Sequence, residues 1–274
     1  MSGRIAVAFA LGILIASIAG AQLRRGERGR YVNRYRQYAT RQDFDGSFQF
    51  CRGVFRSAAN GDGNGWNVDY PRADQNLSIR LSELTKTSVG FEGEGTPKHL
   101  LINLSSPELF HCPFIMMSEV GALSLNDAEA KGLREYLLKG GFLWADDFWG
   151  EDAWTYWVSQ ISKALQPGKF PIADLPLDHP IFHTLFTMAH IPQIPSIGFW
   201  GGPGGSTSER GADSAVPHVR AIRDSRGRIM VLITHNTDFG DAFEEEATNH
   251  EYFLTFSVDG YRFGVNTLVY AMTH

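Results

Sequence analysis

Four stretches of this chain place carboxylates, an imidazole or an indole where an apolar run stops. After PFIMMS (113–118) comes Glu119. After GFLWA (141–145) come Asp146 and Asp147, with Trp149 close behind. After RIMVLIT (228–234) come His235, Asn236 and Asp238, then Asp241. After SFQFCRGVF (47–55) and a glycine-rich loop comes GWNVDYPRAD, with Trp66, Asp69, Tyr70 and Asp74. Carboxylates accept hydrogen bonds from hydroxyls, and an indole can stack on a sugar face. Such a set suits recognition of a small polar or carbohydrate-like ligand. Paired carboxylates could also hydrolyse a glycosidic bond if the substrate fits between them at the required separation. Mixed nitrogen and oxygen ligands could instead hold a divalent cation. The candidates for that are Asp147, His179, His183, His235 and Asp241.

Each group also has a structural alternative. Asp74 and Asp147 stand where aspartates cap helices, and His235-Asn236 reads equally as turn chemistry. His179 and His183 in PLDHPIFH are four apart, but Pro180 breaks the helical turn that would align them, and the glutamate of HExxH is absent. Other chemistries are poorly served. No GxSxG elbow, Walker loop or strand-led GxGxxG is present, and GGPGGS (201–206) has no helix opening behind it. The net charge of -5 argues against a general polyanion binder, so no nucleic-acid partner is expected. Cys51 and Cys112 are too few for a disulfide scaffold or a structural zinc site. Their apolar contexts read as buried free thiols. A single bridge is the alternative in an exported protein.

The elements that must position these groups follow from apolar periodicity. HLLINL (99–104), PFIMMS and GFLWA are nearly continuous apolar runs, as parallel strands covered on both faces are. Asp74 reads as the cap of a helix with Leu77, Leu81 and Leu84 on one stripe. Ser124–Asp127 opens a second helix with a capping-box-like start, carrying Leu133, Tyr136 and Leu137 inward and stopping at Lys139-Gly140-Gly141. Trp154, Trp157, Val158, Ile161 and Leu165 form a third stripe. A loop-rich segment near 170–217 holds seven of the twelve prolines. HVRAIR (218–223) and RIMVLIT flank Asp224–Gly227, a hairpin signal. Tyr261, Val265, Leu268, Val269 and Met272 mark a C-terminal helix. The alternation predicts a three-layer α/β sandwich with a mostly parallel sheet. In such sheets ligands bind outside the carboxyl ends of the strands, where the four stretches above converge on one rim.

Arg4, the apolar run Ile5–Ile18 and Ala19-Gly20-Ala21 read as a signal peptide over residues 1–21. An uncleaved anchor to the inner membrane through residues 5–21 is the alternative, because seven arginines follow between Arg24 and Arg41. Residues 22–46 read as a flexible arginine-rich lead-in, and 47–274 as one α/β domain. The expected location is extracytoplasmic, with membrane contact only through the N-terminal segment.

The series GWNVDYPRADQNLSIRLSELT, PELFHCPFIMMSEVGALSLNDAEAKGLREYLLKGGFLWADDFWG, LPLDHPIFH, and MVLITHNTDFGDAFE through YRFGVNTLVYAMTH resembles the bacterial domain of unknown function 4159 over nearly all of 47–274. The resemblance implies a flavodoxin-like fold of the class I glutamine amidotransferase kind. It does not imply that activity, since the catalytic cysteine and histidine pattern is unmatched, and it supplies no catalytic residue or cofactor. LSLNDAEAKGLREYLLKGGFLW also resembles a helix-strand unit of trehalose-utilisation-like proteins, an analogy of fold alone. The primary expectation is an exported domain binding a small polar or carbohydrate-like ligand at the rim. A carboxylate- or metal-dependent hydrolase is one alternative. A non-catalytic scaffold meeting a cell-envelope protein partner through the proline-rich segment is the other.

Overall fold

Seven apolar segments assemble into one sheet. They are β1 (Phe50–Val54), β2 (His99–Asn103), β3 (Ile115–Ser118), β4 (Leu143–Asp146), β5 (Ile172–Asp174), β6 (His218–Arg223) and β7 (Ile229–His235). The spatial order is β2-β1-β3-β4-β7-β6-β5. The first five of these run parallel, while β6 pairs antiparallel with β7 and β5 antiparallel with β6. Every residue of the central strands β3, β4 and β7 is buried, which is why they read as unbroken apolar runs. The computed structural model describes residues 38–92, 95–202 and 205–274. The expected signal peptide and most of the arginine-rich lead-in lie outside the described residues. Among the described residues no helix is long and apolar enough to cross a membrane.

Strand alternation sends successive side chains to opposite faces, and each face is covered by helices. On one side α2 (Asp127–Leu138) and α3 (Gly150–Ala164) pack Leu133, Leu137, Trp157 and Ile161 against Ile115, Met117, Leu143 and Ala145. On the other side lie α1 (Arg72–Leu84), α4 (Phe239–Glu244) and α5 (Val258–Thr273). They pack Leu77, Leu81, Phe243 and Phe263 against Phe50, Met116, Trp144 and Leu232. The molecule is thus a mixed α/β fold on a mostly parallel seven-stranded sheet.

Several local expectations need correction. α2 opens within the expected stretch Ser124–Asp127, but its capping box is built by Asn126 and Glu129 and not from Ser124. Asp74, in contrast, is no cap: Pro71 precedes α1, and Asp74 lies within its first turn, fully buried against Arg52. Leu84 falls off the buried stripe and is exposed. The proline-rich segment contributes β5, the outer strand of the sheet. Tyr38–Asp45, expected as flexible lead-in, pairs with the domain: Tyr38 bridges Leu101, Ala39 N donates to Leu101 O, and Thr40 and Asp43 cap one another. Cys51 and Cys112 are not free thiols but one disulfide, joining β1 to the turn before β3.

Candidate functional site

Chain direction changes abruptly at the carboxyl ends of the parallel strands. Glu119 follows β3, Asp147 follows β4 and Asn236 follows β7, and all three adopt left-handed backbone with φ of 50°, 53° and 62°. Asp69, just ahead of α1, does the same at 61°. Asparagine and aspartate tolerate this region better than most residues, whereas glutamate has no such preference. The four turns redirect these polar side chains off the sheet and over its rim.

Asp146 and Asp147 therefore part company. Asp146 keeps the alternation of β4 and points to the α4 side. There it accepts from Thr234 Oγ1 (2.5 Å), Phe239 N (3.0 Å) and Gly240 N (3.1 Å), bracing the start of α4. Burial outweighs these donors and pushes its pKa up to about 7. Asp147, turned by its left-handed backbone, accepts from Trp149 Nε1 at 3.0 Å. Oxygens of Asp69, Asp147 and Asp238 lie within 4.8 Å of one another, and a second group joins Asp69 to Asp241 and Glu244. Asp238 caps α4 through Asp241 N (2.8 Å), and Asp241 accepts from Ile197 N (2.6 Å).

Like charges in a dry place cannot all ionise. Burial first, and then the neighbouring carboxylates, hold Asp69, Asp147 and Asp238 well above the ordinary carboxylate range. Burial also raises Asp241 to about 7 against the Ile197 amide. Among the described residues Arg52 is the only buried lysine or arginine, and it is committed to Asp74 and to Ser118 Oγ (2.9 Å). Asp69 Oδ2 is buried without any donor.

Glu119 borders this pocket. It receives the glycine-rich loop 60–65, whose Asn64 and Gly65 backbone N–H groups both donate to its Oε2, with Asn64 Nδ2 3.2 Å from Oε1. The close approach needs small residues: a Cβ on Gly61 or Gly121 would strike the opposing backbone. Across the same edge Arg210 clasps both oxygens of Asp62 at 2.9 Å. Burial raises the Glu119 carboxyl despite its amide donors.

The remaining candidates serve elsewhere. His235 follows Thr234 and so faces the α3 side of the sheet, away from the acidic pocket. Its Nε2 meets Gly150 O at 3.0 Å and its Nδ1 meets Arg220 Nη1 at 3.2 Å, and its ring packs on Phe148, Trp154 and His218. The expected convergence of His235 with the carboxylates is thus corrected by strand parity. Asn236 stitches turns together, accepting from Gly150 N and donating to Val216 O, both at 2.9 Å. His179 accepts from Ile181 N and His183 contacts Leu177 O, so both make local bonds around Pro180 and neither joins the carboxylate groups. Trp66 and Trp149 are each only 6 % exposed, which removes them as open stacking platforms. Tyr70 lies half-buried between Trp66 and His99. Sequence reasoning missed Arg52, Thr234 and Gly240. Only the first left a signal, an arginine inside an apolar strand.

His235 gives a direct pH test. Burial, and then the charges of Arg220 and His218, lower its pKa to about 4, opposed by Gly150 O and the Asp213 charge. The unfolded chain therefore takes up a proton first as pH falls from about 6.5, and the folded imidazole only near 4. The stability held by neutral His235 is fully present above the unfolded value and is lost on acidification, by about 3 kcal/mol overall. Urea unfolding of the wild type and of His235→Gln should show their stability difference shrinking by that order between pH 7 and pH 4. A constant difference would mean that His235 does not titrate across this window.

No curated protein matches the chain. The family model described as Domain of unknown function (DUF4159) matches residues 56–272, so the chain belongs to that family.

Proposed function

We propose that this chain is an exported, flavodoxin-like domain that binds a small polar ligand in the acidic pocket at the carboxyl ends of its parallel strands. The observation that carries this reading is the convergence of Asp69, Asp147, Asp238 and Asp241, from three strand ends, on Asp69, one oxygen of which is buried without a donor. Such an arrangement is costly in isolation and calls for an external partner. The order β2-β1-β3-β4-β7 of the parallel strands supports the doubly wound reading. In that topology ligands sit at the β1/β3 switch point, which Asp69 and Glu119 flank here. The likeness to class I glutamine amidotransferases extends to fold alone, since both cysteines are consumed in the disulfide. That disulfide also supports an oxidising, extracytoplasmic location. Buried indoles favour a ligand held by hydrogen bonds and charge over one stacked on an aromatic face.

The pocket reading is tested by titrating the full chain, in EDTA, with sugars, polyols and polyamines while following tryptophan fluorescence. Trp149 donates to Asp147 and so reports on the pocket directly. At least one class should give a saturable change that is lost in Asp147→Asn. Silence across the panel, both in EDTA and with divalent ions present, would count against the reading.

A hydrolase is favoured by one separate observation. Glu119 occupies a strand-to-helix elbow, in left-handed backbone between β3 and the short helical turn Val120–Ala122, with its proton affinity raised by burial. A general acid needs such a carboxyl. Turnover of chromogenic glycosides that disappears in Glu119→Gln would establish it, and turnover unchanged in that variant would remove Glu119 from the chemistry.

A further inference from the structure

The acidic pocket poses a charge problem that its own residues leave open. Asp69, Asp147 and Asp238 arrive from three segments: the turn ahead of α1, the end of β4 and the cap of α4. All three are buried, and each brings an oxygen within 4.8 Å of the other two. Asp147 and Asp238 have one donor each, Trp149 Nε1 and Asp241 N. Asp69 Oδ2 has none. Arg52 cannot supply the charge, because its guanidinium is already engaged by Asp74 and Ser118. Gly240 leaves the space this oxygen occupies, since a Cβ there would collide with it.

We infer that Asp69, Asp147 and Asp238 together bind one hard divalent cation, with Asp69 Oδ2 as a ligand atom that has no other task. The inference rests on the pocket being the ligand site and names what fills it first. Donors that are all oxygen select Mg2+, Ca2+ or Mn2+ over the softer ions that seek nitrogen or sulfur. Two oxygens on one ion lie no further apart than twice the metal–oxygen distance, about 4.2 Å around Mg2+ and about 4.8 Å around Ca2+. Oxygens that all lie within 4.8 Å of one another are close enough to be drawn onto one such ion. Three carboxylates leave coordination positions open for water or for an oxygen of the polar ligand.

Asp69→Asn separates this role from a purely structural one. Asparagine tolerates the left-handed backbone at this position, and it takes one carboxyl out of the crowded group. The full chain would be stripped with EDTA, returned to pH 8 and heated with and without CaCl2, MgCl2 or MnCl2. For the wild type we expect one bound ion per chain by native mass spectrometry. Its Tm should rise by roughly 5–10 °C at a hundredfold excess over Kd. Asp69→Asn should melt higher than the wild type in EDTA and gain nothing from the ions. Three results would overturn the inference: no shift with any of the three ions, a shift that survives in Asp69→Asn, or an Asp69→Asn protein that melts lower than the wild type in EDTA. If the cation falls by any of these results, an EDTA-treated wild type that still binds a polar ligand through Asp147 would leave the pocket reading standing. Loss of both would remove both.

Discussion

Arg52→Ala should cost about 3–5 kcal/mol of stability, the range for breaking a buried ion pair on one side only. Arg52 projects from the middle of β1 and is completely buried, as is Asp74 in α1. Its Nε lies 3.1 Å and 3.3 Å from the two carboxylate oxygens, Nη2 makes a further short contact, and Nη1 reaches Ser118 Oγ at the end of β3. Truncation would leave the buried Asp74 carboxyl without its partner and Ser118 without its donor. It would also remove a positive charge that interacts with Asp69 and Asp146. The acidic pocket would then become harder to ionise.

A second variant separates the cost of a broken pair from the worth of the intact one. Replacing both partners with apolar residues of similar length, as in Arg52→Met with Asp74→Leu, removes the stranded charge. Buried pairs exchanged in this way are often neutral in stability, so the double variant should recover most of what Arg52→Ala loses. It should nevertheless fail to restore ligand or ion binding to full strength, since the field under Asp69 is gone. Urea unfolding of the single and double variants measures the first effect. A loss of less than about 1 kcal/mol in Arg52→Ala, the scale of a surface pair, would show that the guanidinium is not locked as described.

The order of elements was legible because each of them follows from local chemistry. IMMS and LWAD are apolar runs buried on both faces, Asn126 and Glu129 build the cap of α2, and Asp224–Gly227 turns the hairpin. Polar residues at strand ends were legible for the same reason. What a neighbouring pair does at such an end was not. Asp146 and Asp147 differ because one obeys strand alternation and the other sits in left-handed backbone. His235 misses the pocket through parity, and parity becomes meaningful only once the α3 side and the α4 side are known. Arg52 and Asp74 are 22 residues apart and meet only through the packing of α1 on β1. Trp66 and Trp149 looked available for stacking because burial of a ring depends on which loops fold over it.

Reducing the Cys51–Cys112 bridge should lower stability by about 4 kcal/mol. That is the loop-closure value for cross-linked residues separated by 61 positions. The enclosed segment contains the glycine-rich loop, Asp69, α1 and β2, so the bridge restrains one whole side of the acidic pocket in the unfolded chain. Both cysteines are buried, so dithiothreitol should reach them only when the domain opens. Reduction of the native protein should therefore be slow and should accelerate steeply in urea. Cys51→Ala with Cys112→Ala should reproduce the loss of stability without reductant, increased somewhat by the cavities left behind. The same domain made in a reducing cytosol should show a lower Tm until it is oxidised. The thiol count decides the matter: two free thiols in the unreduced, urea-unfolded chain would show that the cysteines are not joined and would withdraw the main support for export.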